Sequence, residues 1–469
     1  MYNIGMFRTR IAPSPTGQDV HVGTIATALM NYAWAKKNKG KFIIRIEDTD
    51  QTRIVPGGEE KMLKTLNELG LVADESPLVG GPYQPYRQSE RLEIYKKYAQ
   101  ELIKKSKAYY CICSPERLDE MRKMQQAQKK IPKYDRRCFH NQEEVLKQVR
   151  NGAKYVMRLL MPEKTIAFDD VIRGHIVVHG SNLDDQILLK SDGFPTYHLG
   201  VVIDDYLMKV SHVIRGDEWL SSTPKHIVLY EAFGWKLPVF CHISLLRNPD
   251  KSKLSKRKNP VWASDYLNQG ILPEALLNYL TLMGWSHPEG KEIFDLDEYV
   301  RVFDLKDVQT TAPVFDPVKL EWLNGVYIRE SRIQNLEFRI IQYIGSDYPK
   351  ETIHKTIPLI RERIKKLADY LPLCEFFFKR PESYEIDLSS HQSVFSKIHA
   401  DLEKINDWKA DKIGEAMGQT AKTMKMKNSE FFMLLRVAIT GKKISPPLNE
   451  SMEILGKEEC VKRVKELTG

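Results

Sequence analysis

The chain has 469 residues, with 71 Lys and Arg against 62 Asp and Glu, a formal net charge of +9. Such a length predicts about three domains, and 42% hydrophobic with 28% charged residues excludes a chain too polar to bury cores. No apolar run approaches the ~20 residues of a membrane-spanning helix and residues 1 to 17 hold no signal-like stretch, so a cytoplasmic protein with no membrane partner is expected.

Arg8 to Ala12 reads as a short strand running into Pro13-Ser14-Pro15-Thr16-Gly17, where two prolines forbid regular pairing. From Thr24 to Lys37 the apolar positions Ile25, Ala28, Leu29, Tyr32 and Ala33 follow helical spacing. Gly40 ends that helix, and Lys41 to Ile46 alternates as a strand, completing the βαβ unit of a parallel nucleotide-binding sheet. The same pattern returns at Val210 to Arg215 (strand), Thr223-Pro224 (helix start) and Val239 to Leu246 (strand). Two separated halves of one sheet imply an inserted domain between them, over roughly residues 86 to 191. After about residue 250 the pattern is largely helical, with helices expected over Pro273 to Met283, Pro358 to Tyr370 and Glu430 to Thr440, the last ending at Gly441.

Two loops carry candidate chemistry. In Pro13 to Thr24, Gly23 lets a phosphate approach the backbone, the N–H groups opening the next helix favour negative charge, and His21 can donate to phosphate oxygens. In Lys253-Leu254-Ser255-Lys256-Arg257, two ammonium groups three residues apart can converge on one polyphosphate. Taken singly, each reads better as an ordinary connection or a solvated basic loop.

Together the two loops resemble the signature pair of class I aminoacyl-tRNA synthetases. Within that class the spelling Arg10-Ile11-Ala12-Pro13-Ser14-Pro15-Thr16-Gly17 is similar to bacterial glutamyl-tRNA synthetase. Further matches are Arg45 to Asp50, Gly81-Pro82-Tyr83, Tyr86 to Arg91, Ser191 to Leu199, Val213 to Trp219 and Leu245 to Asp250. The likeness is dense to about residue 330 and thin beyond it. Three residues separate Gly17 from His21 where the family has two, so a bulge is expected there.

The resemblance implies an α/β protein with a Rossmann-type parallel sheet in two halves, 1–85 and 192–248. An acceptor-end-binding insertion would span 86–191, a linking domain 249–330 and an all-helical anticodon-binding domain 331–469. It implies a monomeric glutamate–tRNA ligase using ATP and Mg²⁺, with L-glutamate and tRNA(Glu) as partners. His21, Gly23, Lys253 and Lys256 would neutralise charge building on the phosphates. Arg10 and Arg215 with Tyr197 would take the glutamate side chain, Glu47 its α-ammonium, and Ala12 and Ser14 would line the pocket. The alternative for Arg215 is an ion pair with Asp217 or Glu218. Glu218, Trp219 and Leu246 would hold the adenosine of ATP, Asp50 and Arg53 would meet the tRNA 3′ end, and Arg363 would read the anticodon. Whether glutamine tRNA is also charged stays open. A glutaminyl-tRNA synthetase, a truncated relative that glutamylates a tRNA base, and a non-catalytic tRNA-binding paralogue are the competing readings. The first motif's spelling, the helical C-terminal part and the retained Arg10, Arg215, Lys253 and Lys256 stand against them.

Six cysteines are too few for a disulfide scaffold, and three of them cluster. Cys111 and Cys113, with Cys138 and His140, form two close pairs that suit tetrahedral zinc if each pair lies on a strand. Tyr134 competes with His140 as fourth ligand, and the alternative is a set of reduced thiols without an ion. The spacing is similar to that of the family's zinc-binding variant. Cys241, Cys374 and Cys460 stand alone as packing residues, and Lys422, Lys425 and Lys427 read as a solvated helix face.

Overall fold

The structure is a computed structural model that describes residues 6–254 and 260–468. It divides into two compact units, one of Met1–Asp265 with Leu276–Asp316 and one of Tyr266–Ala275 with Pro317–Gly469. Among the described residues, no helix is long and apolar enough to cross a membrane.

In the first unit, β1 (Arg8–Ile11) leads through the proline loop into α1 (Val22–Lys37), and β2 (Lys41–Ile44) returns parallel to β1, pairing Arg8 with Lys41 and Ile11 with Ile44. The helix begins where His21 Nδ1 accepts from the Gly23 N–H, so the imidazole caps its own helix. Val22, Ile25, Ala28, Leu29 and Ala33 are all buried, as a helix laid on a sheet requires. Gly40 follows because a β-carbon there would stand 2.1 Å from the Phe7 carbonyl oxygen.

Next come α2 (Gly58–Glu68) and α3 (Leu92–Lys104), followed by β3 (Ala108–Cys111). Three helices succeed it, α4 (Pro115–Ala127), α5 (Arg137–His140) and α6 (Gln142–Arg150). Strand β4 (Val156–Leu159) pairs antiparallel with β3, and β7 (Ile187–Leu189) with β4. Between them, β5 (Thr165–Asp170) and β6 (Gly174–His179) form a hairpin. Although this hairpin falls inside the stretch expected as an insertion, β5 pairs parallel with β9 (Val239–Ile243) through Asp170 and Phe240. The chain thus returns to the sheet of β9 before α7 (Tyr197–Leu207), β8 (His212–Gly216) and α8 (Thr223–Phe233).

β8 and β9 are parallel, with Arg215 opposite His242. β1 lies beside β8, where Ser211 N donates to Arg8 O at 2.9 Å. One half of the fold thus winds away from β1 and the other from β8. Ligands of such sheets bind beyond the strand ends at that reversal. Beneath it lies a core of Tyr95, Leu102, Met157, Leu199, Val202, Ile203, Leu229 and Phe240.

The second unit is helical, and no strand occurs in its described residues. Phe395, Ile398, Ile413, Met417, Phe431, Leu435 and Met452 form its buried centre. The helix Asn428–Thr440 ends at Gly441 as expected. The helix expected over Pro358 to Tyr370 is instead broken. Pro358 lies in the last turn of Lys350–Ile360, Lys366 is extended, and a short turn and helix follow at Leu367–Cys374. Ile357, Ile360, Ile364, Leu367 and Tyr370 are all buried, so helical spacing continues across a backbone that does not.

Candidate active site

A cavity of about 360 Å³ opens at the ends of β1 and β8. Its walls include Arg10, Ala12, Ser14, His21, Gly23 and Glu47 from the first half of the sheet. Tyr197, Arg215, Glu218, Trp219, Leu246 and Lys253 come from the second. Every residue expected to meet glutamate, and every one expected to meet ATP except Lys256, therefore faces one space. Lys256 lies outside the described residues.

The loop from Gly17 to His21 is held by Trp262 and its neighbours. A β-carbon on Gly17 would fall 2.2 Å from the Trp262 ring. Ala263 N donates to Val20 O, Val22 N donates to Val261 O, and the buried Asp19 accepts from Val20 N and Ser264 N. The residue by which this loop exceeds the family pattern is thus absorbed in a paired segment, and His21 still caps α1 at the cavity wall. With Nδ1 accepting from Gly23, a neutral His21 carries its proton on Nε2.

The two arginines differ in what neutralises them. Arg10 gives Nε and Nη2 to Asp205, each at 3.0 Å, and Asp205 also receives Arg45 Nη1 at 2.8 Å. Although burial opposes it, Arg10 and Arg45 hold the Asp205 carboxyl below its usual range. Arg215 is 5% exposed and has no carboxylate partner among the described residues. Its Nε donates to His242 Nε2 (3.0 Å), Nη1 to Tyr197 Oη (3.1 Å) and His226 Nδ1 (3.2 Å), and Nη2 to Thr223 Oγ1 (2.8 Å). The alternative ion pair with Asp217 or Glu218 does not form. Asp217 pairs with Arg173 at 3.0 Å and Glu218 with Lys253 at 2.7 Å. A buried cation with only neutral partners leaves the cavity strongly attractive to an anion.

Glu47 follows β2 and receives Arg45 Nη2 at 3.2 Å. Burial pushes its carboxyl up to about 7 against the pull of Arg45 and Arg10. Tyr197 stacks on Trp219, centroids 3.9 Å apart and planes at 28°. Burial raises the Tyr197 phenol, so it stays protonated and can donate.

His242, Asp170, Thr223 and His226 were not singled out by sequence reasoning. Their signal was weak, because each is one polar residue at the end of a strand or the start of a helix with no motif spacing.

The structure does not bring Asp50, Arg53 or Arg363 to this cavity. Asp50 and Arg53 are exposed beside a short turn, 3.9 Å apart. Arg363 belongs to the second unit, where it is exposed and Nη1 donates to Ser445 O at 3.0 Å.

The three clustered cysteines come together, with Tyr134 beside them. The sulfurs of Cys111, Cys113 and Cys138 lie within 4.8 Å of one another. Tyr134 Oη is 3.5 Å from Cys111 Sγ and 3.3 Å from Cys113 Sγ. His140 is exposed, and it stands on the helix α5 rather than on a strand. Residues two apart on a helix point about 200° apart, so Cys138 and His140 leave different faces of that turn. Zn–S bonds of about 2.3 Å put the thiolates of one tetrahedron about 3.8 Å apart, which three converging sulfurs fit. Hydrogen bonds from the Cys138 thiol, then from Tyr134 and Arg158, favour the Cys111 thiolate.

The family described as class I tRNA synthetases (E and Q), catalytic domain, matches residues 6–322, and an anticodon-binding domain matches residues 332–468. A glutamate–tRNA ligase of Acidothermus cellulolyticus is 45% identical over 98% of this chain and 94% of its own length. One from a Marinomonas species is 46% identical over 96% and 93%. The crystal structure of a glutamate tRNA ligase from Elizabethkingia meningosepticum, in complex with its amino acid, superposes with a TM-score of 0.88 at 36% identity over 99% of both chains. The chain therefore belongs to the class I tRNA synthetases, and within them to the glutamate–tRNA ligases.

Proposed function

We propose that the cavity at β1 and β8 activates L-glutamate with ATP and passes the glutamyl group to the 3′-terminal adenosine of tRNA(Glu). A glutamate α-carboxylate oxygen attacks the α-phosphorus, the bond to the bridging oxygen breaks, and pyrophosphate leaves with the electron pair. A ribose hydroxyl then attacks the glutamyl carbonyl, loses its proton and releases AMP. Neither step needs a covalent enzyme nucleophile, so positioning and charge neutralisation carry the rate. His21 Nε2–H, the N–H groups opening α1, Lys253 and Lys256 supply that neutralisation. Lys253 exchanges Glu218 for phosphate, and Mg²⁺ accompanies the ATP.

The observation that carries this reading is Arg215, buried and with no carboxylate partner among the described residues. A glutamate side chain completes it bidentately, with the Tyr197 hydroxyl as a further donor, while a glutamine amide would set N–H against N–H. The α-ammonium lies against Glu47, and its charge draws that carboxyl back to the ionised form. Arg10, already paired with Asp205, lines the same cavity as a further donor beside the side chain. Glu218, Trp219 and Leu246 border the adenosine, Asp50 and Arg53 meet the tRNA 3′ end, and Arg363 contacts the anticodon. The β3–β4–β7 segment binds the acceptor end and carries one structural zinc on Cys111, Cys113, Cys138 and Tyr134.

Pyrophosphate exchange by the full chain tests the amino-acid assignment. Exchange is expected with glutamate, not with glutamine, and to depend on added tRNA. Arg215→Gln should lower kcat/KM for glutamate by about 10²–10³, the loss of a charge-assisted pair to the substrate. Exchange with glutamine and none with glutamate would overturn the reading.

A further inference from the structure

Arg215 is held from behind by a set of groups that share one property. His242, His226 and Thr223 each offer the guanidinium an acceptor, and none carries negative charge. They come from two elements, and the carboxylate behind them from a third. His242 is opposite Arg215 on β9, Thr223 and His226 lie in the first turn of α8, and Asp170 stands at the end of β5. All four are at most 3% exposed.

The hydrogen-bond roles follow from the partners. Asp170 Oδ2 lies 2.6 Å from His242 Nδ1, and a carboxylate can only accept, so Nδ1 carries the proton. His242 Nε2 is then a bare lone pair, and Arg215 Nε–H points at it from 3.0 Å. A proton on Nε2 would set donor against donor. The His226 side repeats the logic. Its Nδ1 accepts from Arg215 Nη1, so Nε2–H donates to His198 Nδ1 at 3.1 Å. Asp170 in turn is fixed by the backbone N–H groups of Ile172, Arg173 and His242. The carboxylate therefore sits one imidazole away from the guanidinium. It orients the arginine through a neutral ring, and it does not pair with it.

The distinction has a consequence for specificity. A carboxylate in direct contact would satisfy Arg215 before the substrate arrived, leaving a neutral pair that distinguishes glutamate from glutamine poorly. A guanidinium with no partners at all would be free to turn away. The geometry points to a positioning role for Asp170 and His242: Asp170 locks His242 as a neutral acceptor, and His242 aims Arg215 while leaving its charge for the substrate side chain. This inference rests on the reading of Arg215 as the side-chain ligand.

Two substitutions at one position separate the role from mere packing. In His242→Gln an uncharged acceptor reaches the place of Nε2. In His242→Asn the side chain reaches only the place of Nδ1, so it meets Asp170 and falls short of Arg215. Both remove the ring, so a packing defect alone would affect them alike. Aminoacylation by the full chain with tRNA(Glu) should show the Asn variant with KM for glutamate raised about tenfold to a hundredfold, the loss of one hydrogen bond to a charged group. Its KM for ATP and its kcat at saturating glutamate should stay within about twofold, and the Gln variant should keep its glutamate KM within about threefold of the parent. Equal glutamate KM values for the two variants, or an ATP KM that rises in step, would overturn the positioning role. Arg215→Lys run beside them keeps the two readings apart. If it leaves the glutamate KM unchanged, the substrate assignment of Arg215 falls. If it raises that KM while His242→Asn does not, only the role of Asp170 and His242 falls.

Discussion

At the scale of single residues, burial keeps several imidazoles of the first unit in unaccustomed charge states. His198 and His212 are both lowered to about 4, by burial above all, with Lys225 and Arg215 adding to the effect on His198. His226 and His242 are lowered by burial too, the latter against the opposing hydrogen bond to Asp170. Each imidazole is therefore neutral in the fold and protonates near pH 6.5 once the chain unfolds. Below that pH the unfolded chain takes up protons that the folded chain refuses, so the unfolded state gains and stability falls. The histidine contribution is complete above about pH 6.5 and is lost as pH drops toward 4, His212 alone accounting for about 3 kcal/mol at most. Thermal melting followed from pH 7.5 to 4.5 should show a progressive fall beginning near pH 6.5. His212 stacks on Phe7, centroids 5.2 Å apart, so His212→Phe should keep the packing and flatten part of that slope. A melting temperature constant to pH 4.5, or a slope unchanged in the variant, would count against this account.

At the scale of elements, what could be read in advance was whatever depended on local pattern. The strands at Arg8, Lys41, His212 and Val239 and the helices at Val22 and Thr223 were legible because alternation, helical spacing and a proline at a helix start act within a few residues. The convergence of His21, Arg215, Trp219 and Lys253 on one cavity was legible through the family's spelling, since no local rule joins such distant loops. The β5–β6 hairpin joins the sheet through a non-local pairing with β9 that leaves no mark in residues 165–179. The histidines behind Arg215 were hidden because a single polar residue at a strand end is ordinary in any sequence. In the cysteine segment the local structure differs from the one assumed, for a concrete reason. Cys138 and His140 were paired on the assumption of a strand, and the chain forms α5 there instead. That difference is testable. Zinc measured on purified protein should be close to one equivalent in the parent and in His140→Ala, and should fall below about a tenth of an equivalent in Cys138→Ser. Tyr134→Phe should weaken retention against a chelator without abolishing loading, because three thiolates remain. Zinc lost in His140→Ala and held in Tyr134→Phe would restore the histidine as the fourth ligand.

At the scale of the whole molecule, the order of segments matters more than their count. The chain leaves the first unit after Asp265, contributes Tyr266–Ala275 to the second, returns for Leu276–Asp316, and only then departs for good. That short contribution is built in firmly. Leu272 N donates to the buried Asn324 side chain at 2.8 Å, and Leu367 N donates to Gly270 O at 3.0 Å. Gly270 has φ +82, and a β-carbon there would stand 2.6 Å from Leu367 N. Ile271 and Leu272 are 4% and 1% exposed. A cut after Asp316, natural as it looks from the family match ending at residue 322, would therefore remove Asn324 and Leu367 and leave this segment without its hydrogen-bond partners. Exposing two such aliphatic side chains costs roughly 1.5–3 kcal/mol each and adds an apolar patch that favours association. A fragment of residues 1–316 should accordingly melt below the full chain and associate at concentrations where the full chain does not. The same fragment carrying Ile271→Ser and Leu272→Ser should recover most of its solubility, since the fragment has no second unit for those side chains to fill. Sedimentation velocity of the three proteins side by side decides it. An unsubstituted fragment as monodisperse as the full chain would show that Tyr266–Ala275 is not bound to the second unit in the way its hydrogen bonds describe.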